Sequence, residues 1–600
     1  MTGGDSSKRK SINNNVEHER GSHNLDITLP ESIDKMPTKS SFPDVEIPSV
    51  DMWSFMFDQP RQFSDDQIIY RSAITPQRAY TFSDVKALAT QFGTGLQNLW
   101  DWQMHDVLCI YAPNDIDFAP IVYGVFFAGG IISPSNPAYS ADELTFQLTN
   151  SGSKAIATTK ACLKNALKAA EKAGIPKNRV LLLGEDVTSG EPGVGHWTNV
   201  RKTSGALRYS RKKPHPDNDL AFLVYSSGTT GLPKGVMLSH RNVISDLCMI
   251  KGAVGKWYES GKDKFLGVLP FYHIYGLTGL VHQPLHRGIE LVVMPAFDMK
   301  VFLETIAREK ITFIYVAPPV IVRLSRDKIV EGYDLSSVRM ITSGAAPLTQ
   351  ELVDAVKKRL DIKVNQAYGL SETSPMTHTQ PWDEWYSSVG SVGKMFPNMM
   401  AKYMSPDEKE LGPGEPGELW LAGPNVFKGY LKNQEATENA IITDQDGIRW
   451  FRTGDVGFQD KDHNFYITDR VKELIKYKGF QVAPAELEGK LMDHPLINDV
   501  AVIGVEDREM HTEVPRAYIV HAHRGPDAGD KTTGLPAGEQ DKKDAEEIMN
   551  WLAGKVSSHK RLRGGIRFIE EVPKSAAGKI LRRLLKERAK KEEAPTKAKL

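Results

Sequence analysis

The sequence has little cysteine and no net charge, and each of these absences argues against a class of protein. Only three cysteines occur among 600 residues, and none lies in a Cys-x-x-Cys pattern, which argues against a disulfide framework and against a zinc site. The 75 basic and 75 acidic residues leave no overall field that would draw the chain to nucleic acid or to an anionic membrane. We therefore expect an intracellular protein with no nucleic-acid partner.

Long apolar runs are also missing. Residues 118–132 (FAPIVYGVFFAGGII) fall short of the ~20 residues that a membrane-spanning helix needs, and they include Pro120 and three glycines. We interpret this stretch as a buried helix. The amino-terminal residues 1–26 are polar throughout and lack the apolar centre of a secretory signal. Neither an integral membrane segment nor secretion is expected.

Composition separates an amino-terminal arm from the rest of the chain. Residues 1–48 are rich in Ser, Asn, Lys and Glu and poor in aromatic residues, which predicts a disordered arm because too little apolar surface is available to offset chain entropy. Beyond the arm, short β-branched runs such as residues 106–111 alternate with helical stretches, a pattern typical of α/β layers.

Residues 223–235 (LVYSSGTTGLPKG) are an apolar run that opens into a loop of small and hydroxyl residues. Such a loop lets backbone N–H groups approach phosphate oxygens, while hydroxyls and Lys234 add donors and charge, so we predict a polyphosphate ligand. The spacing is not that of a P-loop hydrolase, because a proline precedes Lys234 and Gly235 follows it. The predicted phosphate contacts are Ser226, Ser227, Gly228, Thr229, Thr230, Gly231 and Lys234.

This loop resembles the phosphate-binding signature of the acyl-adenylate-forming superfamily, which includes acyl-CoA synthetases, 4-coumarate CoA ligases, beetle luciferases and peptide-synthetase adenylation domains. Residues 366–373 (QAYGLSET) resemble the second core motif of that family. The resemblance implies that Tyr368 lies against adenine, that Glu372 holds Mg²⁺ and that Thr373 contacts phosphate, roles that suit a planar ring, a carboxylate and a hydroxyl. Nucleotide-binding roles are implied as well for Gln366, Ala367 and Gly369.

Two further motifs follow in the order of the family. Residues 450–455 (WFRTGD) resemble its T-G-D motif, in which the carboxylate of Asp455 would accept hydrogen bonds from the ribose hydroxyls. Residues 469–480 (DRVKELIKYKGF) resemble its hinge and the opening of its small carboxy-terminal domain. There Arg470 would contact ribose and phosphate, and Lys472 occupies the hinge position.

The last motif supplies the predicted catalytic cation. Residues 573–583 resemble the carboxy-terminal lysine motif of the family, which makes Lys579 the expected catalytic group. An anionic carboxylate must attack an anionic α-phosphate, and a bridging cation removes their repulsion. One charge pair about 4 Å apart is worth about 4 kcal/mol at an effective dielectric of about 20, or roughly three decades in rate. Loss of Lys579 should therefore cripple adenylation.

The resemblance also implies the fold. It predicts a large α/β amino-terminal domain of layered sheets and helices plus a distorted β-barrel over residues 49–470, and a small mobile α+β lid over residues 471–588. A basic tail, residues 589–600, follows the lid. Family members rotate the lid after adenylation, which would bring Lys476 and the turn formed by Lys478 and Gly479 to the second step. Lys476 is accordingly a predicted catalytic residue of that step.

The implied activity is that of an ATP-dependent acid–CoA ligase with ATP, Mg²⁺ and coenzyme A as cofactors. A carboxylate reacts with Mg·ATP to give acyl-AMP and pyrophosphate, and the thiol of coenzyme A then expels AMP. Two alternatives remain open: an adenylating enzyme with another fate for the acyl-AMP, either luciferase-like oxidation or transfer to a carrier, and an inactive binding protein on the same scaffold.

Residues 271–279 (FYHIYGLTG) resemble the acyl-pocket segment of the family and contain no aspartate that could balance an ammonium group. We therefore favour an apolar acid, either aryl and phenylpropanoid-like or a medium-to-long-chain fatty acid, over an amino acid. His273 matches a family histidine beside the reacting carboxyl. Ala346 and Ala367 stand where related plant enzymes commonly have glycine, which puts 4-coumarate itself in doubt. The predicted pocket residues are Tyr275, Gly279, Val316, Pro318, Gly344, Ala345 and Ala346.

The last three residues, Ala598-Lys599-Leu600, resemble the small-basic-leucine address of peroxisomal proteins. They predict a peroxisomal location and binding to the peroxisomal import receptor, with the cytoplasm as the alternative.

Overall fold

The computed structural model describes residues 37–201, 210–226, 233–344, 348–478, 480–507, 510–575 and 578–593. Several predicted features lie outside these residues: most of the amino-terminal arm, Ser227 to Gly231 of the phosphate loop, Ala345 and Ala346, Gly479, and the carboxy-terminal tripeptide.

The strands of the described residues are, in chain order, β1 (Thr38–Lys39), β2 (Ile68–Ser72), β3 (Ala79–Thr81), β4 (Val107–Tyr111), β5 (Ile131–Ser135), β6 (Ser153–Thr158), β7 (Val180–Leu182), β8 (Gly195–His196), β9 (Leu220–Ser226), β10 (Lys234–Ser239), β11 (Lys264–Gly267), β12 (Glu290–Val293), β13 (Phe313–Val316), β14 (Met340–Ser343), β15 (Lys363–Gly369), β16 (Met376–Thr379), β17 (Lys394–Met395), β18 (Met400–Met404), β19 (Gly417–Ala422), β20 (Gly429–Tyr430), β21 (Ile441–Thr443), β22 (Arg449–Gln459), β23 (Phe465–Arg470), β24 (Ile475–Tyr477), β25 (Phe480–Val482), β26 (Ile497–Asp507), β27 (Thr512–His521) and β28 (Ile566–Phe568).

The helices of the same residues are α1 (Met52–Phe57), α2 (Phe82–Trp100), α3 (Phe118–Phe127), α4 (Ala141–Ser151), α5 (Leu163–Lys172), α6 (Trp197–Arg201), α7 (His240–Val254), α8 (Ile274–Gly276), α9 (Gln283–Arg287), α10 (Met299–Glu309), α11 (Pro318–Arg326), α12 (Gln350–Leu360), α13 (Gln434–Ala440), α14 (Pro484–Met492), α15 (Glu539–Ala553) and α16 (Arg582–Glu593). A π-helical turn, Leu277–His282, links α8 to α9. None of the described helices is long and apolar enough to cross a membrane.

Three sheets build the large domain within the described residues. An eight-stranded sheet has the order β20-β10-β9-β5-β4-β6-β7-β8, and a nine-stranded sheet has the order β17-β16-β15-β14-β13-β11-β12-β2-β3. Their central strands are parallel and fully buried, as in β4, because helices cover a parallel sheet on both faces. The six-stranded antiparallel sheet, in which β1, β18, β19, β22 and β21 follow one another and β23 pairs with β22, stands where a distorted barrel was predicted.

The predicted helix over residues 118–132 is right in its first part and wrong in its second. Helix α3 buries all ten of its residues but ends at Phe127. Gly129 then adopts the left-handed conformation, at φ 74°, and turns the chain into β5, which pairs in parallel with β4. The apolar composition is the same on both sides of this turn, so composition could not locate it.

The predicted disordered arm is wrong over residues 37–48, where the chain is ordered against the six-stranded sheet. Strand β1 pairs with β18, and the Ser40 hydroxyl donates to the Met395 carbonyl at 2.7 Å. The Asn398 side chain binds both backbone groups of Val45, at 2.9 and 3.0 Å. Backbone hydrogen bonds to a distant partner hold this segment, and its own composition gives no sign of them.

The small domain has a core of its own. Strands β26, β27 and β28 form a sheet, β24 and β25 form a hairpin, and buried residues of α14, α15 and α16 pack with them in one apolar cluster that is separate from the clusters of the large domain. Arg582, at the start of α16, forms ion pairs with Glu473 and Glu488 at 2.6 Å each, which fixes the last helix to the opening of the domain. The large α/β domain and small α+β domain agree with the predicted fold class.

Candidate active site

A cavity of about 840 Å³ lies where β9, β14 and β15 end, and residues of the small domain complete its wall. Ligands of layered α/β proteins commonly bind at the carboxyl ends of such strands. Residues from every motif of the sequence meet here although they are far apart in the chain. The predicted site residues that line the cavity are Ser226, Lys234, His273, Tyr275, Gly344, Ala367, Tyr368, Gly369, Glu372, Arg470, Lys472 and Lys579.

Tyr368 and Arg470 line one wall of the cavity, and the buried Asp455 carboxylate behind that wall binds both of them. The Tyr368 hydroxyl donates to Asp455 Oδ2 at 2.6 Å, and Arg470 Nε lies 2.9 Å from Asp455 Oδ1. Asp455 and Arg470 face each other across β22 and β23. Burial and the neighbouring Asp455 carboxylate raise the pKa of Tyr368 well above its usual range, so its hydroxyl remains a donor. The wall offers a flat face with polar groups at its edge, as a nucleoside requires.

A second group lies where the phosphate loop ends and β10 begins. Lys234, the first residue of β10, places Nζ 4.9 Å from the centroid of the Tyr430 ring. The Tyr430 hydroxyl donates to Glu372 Oε1 at 2.9 Å, which orients that carboxylate. Sequence reasoning missed Tyr430, because it lies in none of the recognised motifs. The pairing of β20 with β10 brings it into the cavity wall.

Lys579 reaches the cavity on a tight loop of the small domain. The Lys579 backbone N–H donates to Ser575 Oγ at 3.2 Å, and its carbonyl accepts from the Ser575 N–H at 2.8 Å. Gly578 has φ 83°, and a Cβ there would lie 2.9 Å from the Cβ of Ala317 in the large domain, so only glycine fits this approach. Burial and the nearby Arg470 cation lower the pKa of Lys579 to about 8.

His273 is a neutral group at the same end of the cavity. Its Nδ1 accepts the Tyr275 N–H at 3.3 Å at the start of α8. Burial, reinforced by the Lys579 cation, lowers the pKa of His273 to about 4. The imidazole is therefore uncharged at neutral pH, and it does not compete with Lys579 for an anion.

The acyl end of the cavity is shorter than the sequence predicted. Tyr275 and Gly344 line it, but Gly279, Val316 and Pro318 do not belong to its wall. Gly279 lies in the buried π-helical turn, where a Cβ would be 3.4 Å from the Tyr315 ring and 3.5 Å from Met376 Cε. Val316 is wholly buried in the core beneath the nine-stranded sheet, and Pro318 opens α11. The Tyr315 ring and the Met376 thioether thus close the space beside Gly279.

Five other predicted residues, Asp455 among them, lie outside the cavity wall, and their roles stay predictions. Gln366 accepts the Leu348 N–H at 2.9 Å through Oε1, and the buried Thr373 hydroxyl donates to the Pro375 carbonyl at 2.5 Å. Lys476 and Lys478 are exposed on the hairpin formed by β24 and β25. The structure therefore captures the arrangement in which Lys579, and not Lys476, faces the cavity.

Comparison with known proteins assigns the chain to a family. Residues 56–431 match the AMP-binding enzyme family, and residues 486–579 match the AMP-binding enzyme C-terminal domain. The chain is 34% identical to probable 4-coumarate–CoA ligase 1 of Dictyostelium discoideum, over 91% of this chain and 97% of that one. It is also 34% identical to 4-coumarate-CoA ligase 1 of Narcissus pseudonarcissus, over 92% and 96%.

The fold comparison agrees with the sequence comparison. The crystal structure of ATP-bound MatB from Rhodopseudomonas palustris is similar with a TM-score of 0.75 at 26% identity, over 90% of this chain and 98% of that one. The chain belongs to the AMP-binding enzyme family. Within it, the protein is an ATP-dependent acid–CoA ligase that works through an acyl-adenylate.

Proposed function

We propose that the cavity adenylates an aryl acid, with Lys579 as the cation that bridges the acid and the α-phosphate. One observation carries the proposal: Lys579 lines the same cavity as Tyr368 and Arg470, which the buried Asp455 carboxylate holds together. The ammonium is mostly removed from water, where its attraction for the two anions is strengthened. In this arrangement Tyr368 stacks on adenine, while Asp455 and Arg470 hold the ribose and the phosphate.

Glu372 is the residue that would hold Mg²⁺. Mg²⁺ commonly takes only one or two protein carboxylates, together with substrate phosphates and water. Glu372 fits this mode because it lines the cavity beside Lys234 and is oriented by Tyr430, and no group of three His, Cys, Asp or Glu that could hold a metal occurs among the described residues. When bound there, the ion would neutralise phosphate charge.

His273 positions the acid in this scheme. Its imidazole is half-buried at the acyl end of the cavity and neutral, so it can hydrogen-bond a carboxylate without drawing it away from the Lys579 ammonium. After adenylation, rotation of the small domain would withdraw Lys579 and bring Lys476 and Lys478 to the thioester step. Their exposed position on the hairpin leaves them free to do so.

An aryl acid fits the acyl end better than the other candidates. The carboxylates of the cavity wall are Glu372, Glu418 and Glu435, and none of them belongs to the acyl-pocket segment, so an ammonium group would be buried there without a counter-charge. Gly344 packs closely against the Tyr275 ring, because a Cβ there would lie 3.1 Å from it. Because Tyr315 and Met376 close the space around Gly279, we favour an aryl acid over a long chain.

The names of the relatives support an aryl acid, since several are called 4-coumarate–CoA ligases. Ala367 stands where related plant enzymes commonly have glycine, and this difference argues against 4-coumarate itself as the substrate. Ala367 lines the cavity, where its methyl group takes space that a glycine would leave. We therefore propose a narrower or less substituted aryl acid than 4-coumarate.

A panel of acids tests the proposed function. Pure protein is incubated with Mg·ATP, coenzyme A and benzoate, cinnamate, 4-coumarate, octanoate or palmitate, and AMP and acyl-CoA are measured by mass spectrometry. We expect acid-dependent AMP with matching acyl-CoA, highest for an aryl acid and lost in Lys579→Ala. Preference for palmitate would contradict the aryl proposal, and AMP without any thioester would point to another acyl acceptor.

We also propose a peroxisomal location through Ala598-Lys599-Leu600. The motif supports the proposal, as does the lysine-rich composition of residues 590–600, which carry it. Fusion of residues 589–600 to a fluorescent reporter should give a punctate signal that coincides with a peroxisomal marker, and deletion of Leu600 should abolish it. A diffuse signal from the intact fusion would favour the cytoplasm.

A further inference from the structure

A carboxyl group lies in the core of the large domain without a cation. Asp246, in the middle of α7, is completely buried, and neither of its oxygens accepts a well-formed hydrogen bond from the described residues. It forms no ion pair in that part of the chain either. An isolated carboxylate is strongly disfavoured in such a place, and a buried carboxyl group of this kind usually takes up a proton.

The groups that face Asp246 favour a neutral carboxyl. The neighbours that act on it are the backbone of Met376, the Asn425 side chain and the Tyr315 hydroxyl. None of them is a cation, and the Tyr315 hydroxyl is already used, because it donates to Gln283 Oε1 at 3.0 Å. Burial raises the pKa of Asp246 well above its usual range. The side chain is therefore a carboxylic acid at neutral pH, with one O–H to donate.

Asn425 is the partner that can accept this hydrogen. Its Nδ2 uses both hydrogens, donating to the Thr373 carbonyl at 2.7 Å and to the Met376 carbonyl at 3.1 Å, which fixes the orientation of the amide. Its Oδ1 is buried and receives no hydrogen bond from the described residues. Two acceptors that face each other repel, unless one of them carries a proton. A proton on Asp246 satisfies both groups at once.

One face of α7 places these groups. Asn242 and Asp246 are four residues apart, so they lie one turn from each other on the same side of the helix. Asn242 Nδ2 donates to the carbonyls of Pro424 and Val426, at 2.9 Å each, on either side of Asn425. Helix α7 thus fixes the backbone of this segment, and Asp246 meets its central side chain.

The segment fixed by α7 in turn holds the end of the second core motif and the residues after it. The Ser374 hydroxyl donates to the Asn425 carbonyl at 2.9 Å, and the Phe427 N–H donates to the Glu372 carbonyl at 2.8 Å. These two bonds add to the two from the Asn425 amide. The segment that they hold begins at Glu372 and ends at Met376, and both of these residues line the cavity.

We propose that Asp246 is a positioning residue that carries a buried proton: its carboxyl O–H donates to Asn425 Oδ1, and Asn425 holds the backbone from Glu372 to Met376 in place for Mg·ATP. Asp246 itself does not line the cavity, so it acts through Asn425. Without the donor, the Asn425 amide would lose the bond that opposes its rotation, and its hold on the two carbonyls would weaken. This inference rests on the proposed role of Glu372 with Mg·ATP.

Two substitutions separate the proton from the charge. Asp246→Asn keeps the shape of the side chain and supplies an N–H to Asn425 Oδ1, whereas Asp246→Leu has a similar size and supplies no donor. We expect kcat/KM for Mg·ATP in pyrophosphate exchange to stay within about twofold in Asp246→Asn and to fall about tenfold in Asp246→Leu, the cost of one unsatisfied buried acceptor. An equal loss in both variants, or wild-type kinetics in Asp246→Leu, would overturn the inference.

Infrared difference spectroscopy of the full chain detects the proton itself and needs no substrate. At about pH 8, where exposed carboxyl groups are ionised, the wild-type spectrum minus that of Asp246→Asn should contain the C=O stretching band of a protonated carboxyl group. Asp51→Asn is the matched control, because Asp51 is also buried in the large domain but pairs with Arg211 at 2.9 Å, and its difference spectrum should lack the band.

A missing band for Asp246 would contradict the inference even if Asp246→Leu did not fold. If the wild type exchanges pyrophosphate with no acid at all, the proposed function fails and the positioning role falls with it. That result is distinct from a missing band, because the spectrum is recorded without substrates.

Discussion

At the scale of single residues, Lys579 is an ammonium group whose charge changes near neutral pH. Burial and Arg470 lower its pKa to about 8, so the free enzyme carries the cation below that pH and loses it above. The pH dependence of kcat/KM reports the pKa values of the free enzyme. We therefore expect kcat/KM for adenylation to fall about tenfold per pH unit above pH 8. Acid-dependent exchange of labelled pyrophosphate into ATP between pH 6 and 10 measures this.

The matched variant for this fall in kcat/KM at alkaline pH is Lys579→Arg. A guanidinium does not titrate below about pH 12, so whatever activity the variant keeps should not fall between pH 8 and 10. A wild-type profile that stays level to pH 9.5 would contradict the role given to the Lys579 charge.

Tyr430 provides a second test at this scale. Tyr430→Phe removes the hydroxyl that orients Glu372 but keeps the ring beneath Lys234. We expect kcat/KM for Mg·ATP to fall about tenfold, the cost of one hydrogen bond to a charged group. Tyr466→Phe is the control. It removes a hydroxyl that binds Asp460 Oδ2 at 3.2 Å and that does not belong to the cavity wall, so kcat/KM should be unchanged. Equal kinetics for Tyr430→Phe and the wild type would show that Glu372 does not depend on this contact.

At the scale of elements, helix α11 forms a contact between the domains. The Arg326 guanidinium donates to the carbonyls of Met492 and Ile497 in the small domain, at 3.1 and 3.2 Å. These bonds belong to the arrangement that places Lys579 in the cavity. We expect Arg326→Ala to slow pyrophosphate exchange severalfold while leaving thioester formation from supplied acyl-AMP at its wild-type rate.

The same helix supplies the control for this test. Arg323→Ala removes a guanidinium that pairs with Asp327 at 2.8 Å within the large domain, and it should leave both half-reactions unchanged. If Arg326→Ala slows both half-reactions equally, the contact serves the stability of the chain and not the placement of Lys579.

Elements were predictable where a local pattern determines them. The β-branched run at residues 106–111 became the buried strand β4, because its apolar side chains suit a parallel strand covered on both faces. The end of α3 was missed, because a single turn at Gly129 separates helix from strand within one apolar run. The ordered start at β1 and the contacts of Arg326 join residues that are remote in the chain, and no local pattern reports such a pair.

At the scale of the whole molecule, the site forms because separated motifs meet between two domains. The resemblance to known adenylating enzymes predicted this meeting, and the geometry of Tyr368, Asp455, Arg470 and Lys579 agrees with it. The resemblance did not predict Tyr430, which lies outside its motifs, or the short acyl end, which depends on how Tyr315 and Met376 pack. The identity of the acid depends on that packing, so motifs alone could not supply it.

The two half-reactions of Lys579→Ala test the central claim most directly. Pyrophosphate exchange reports adenylation, and acyl-CoA formation from supplied acyl-AMP and coenzyme A reports the second step. We predict that exchange falls at least about a hundredfold, since one bridging cation is worth up to roughly three decades, while the second step keeps its wild-type rate. Unchanged exchange, or an equal loss in both steps, would contradict the role of Lys579 as the cation of adenylation.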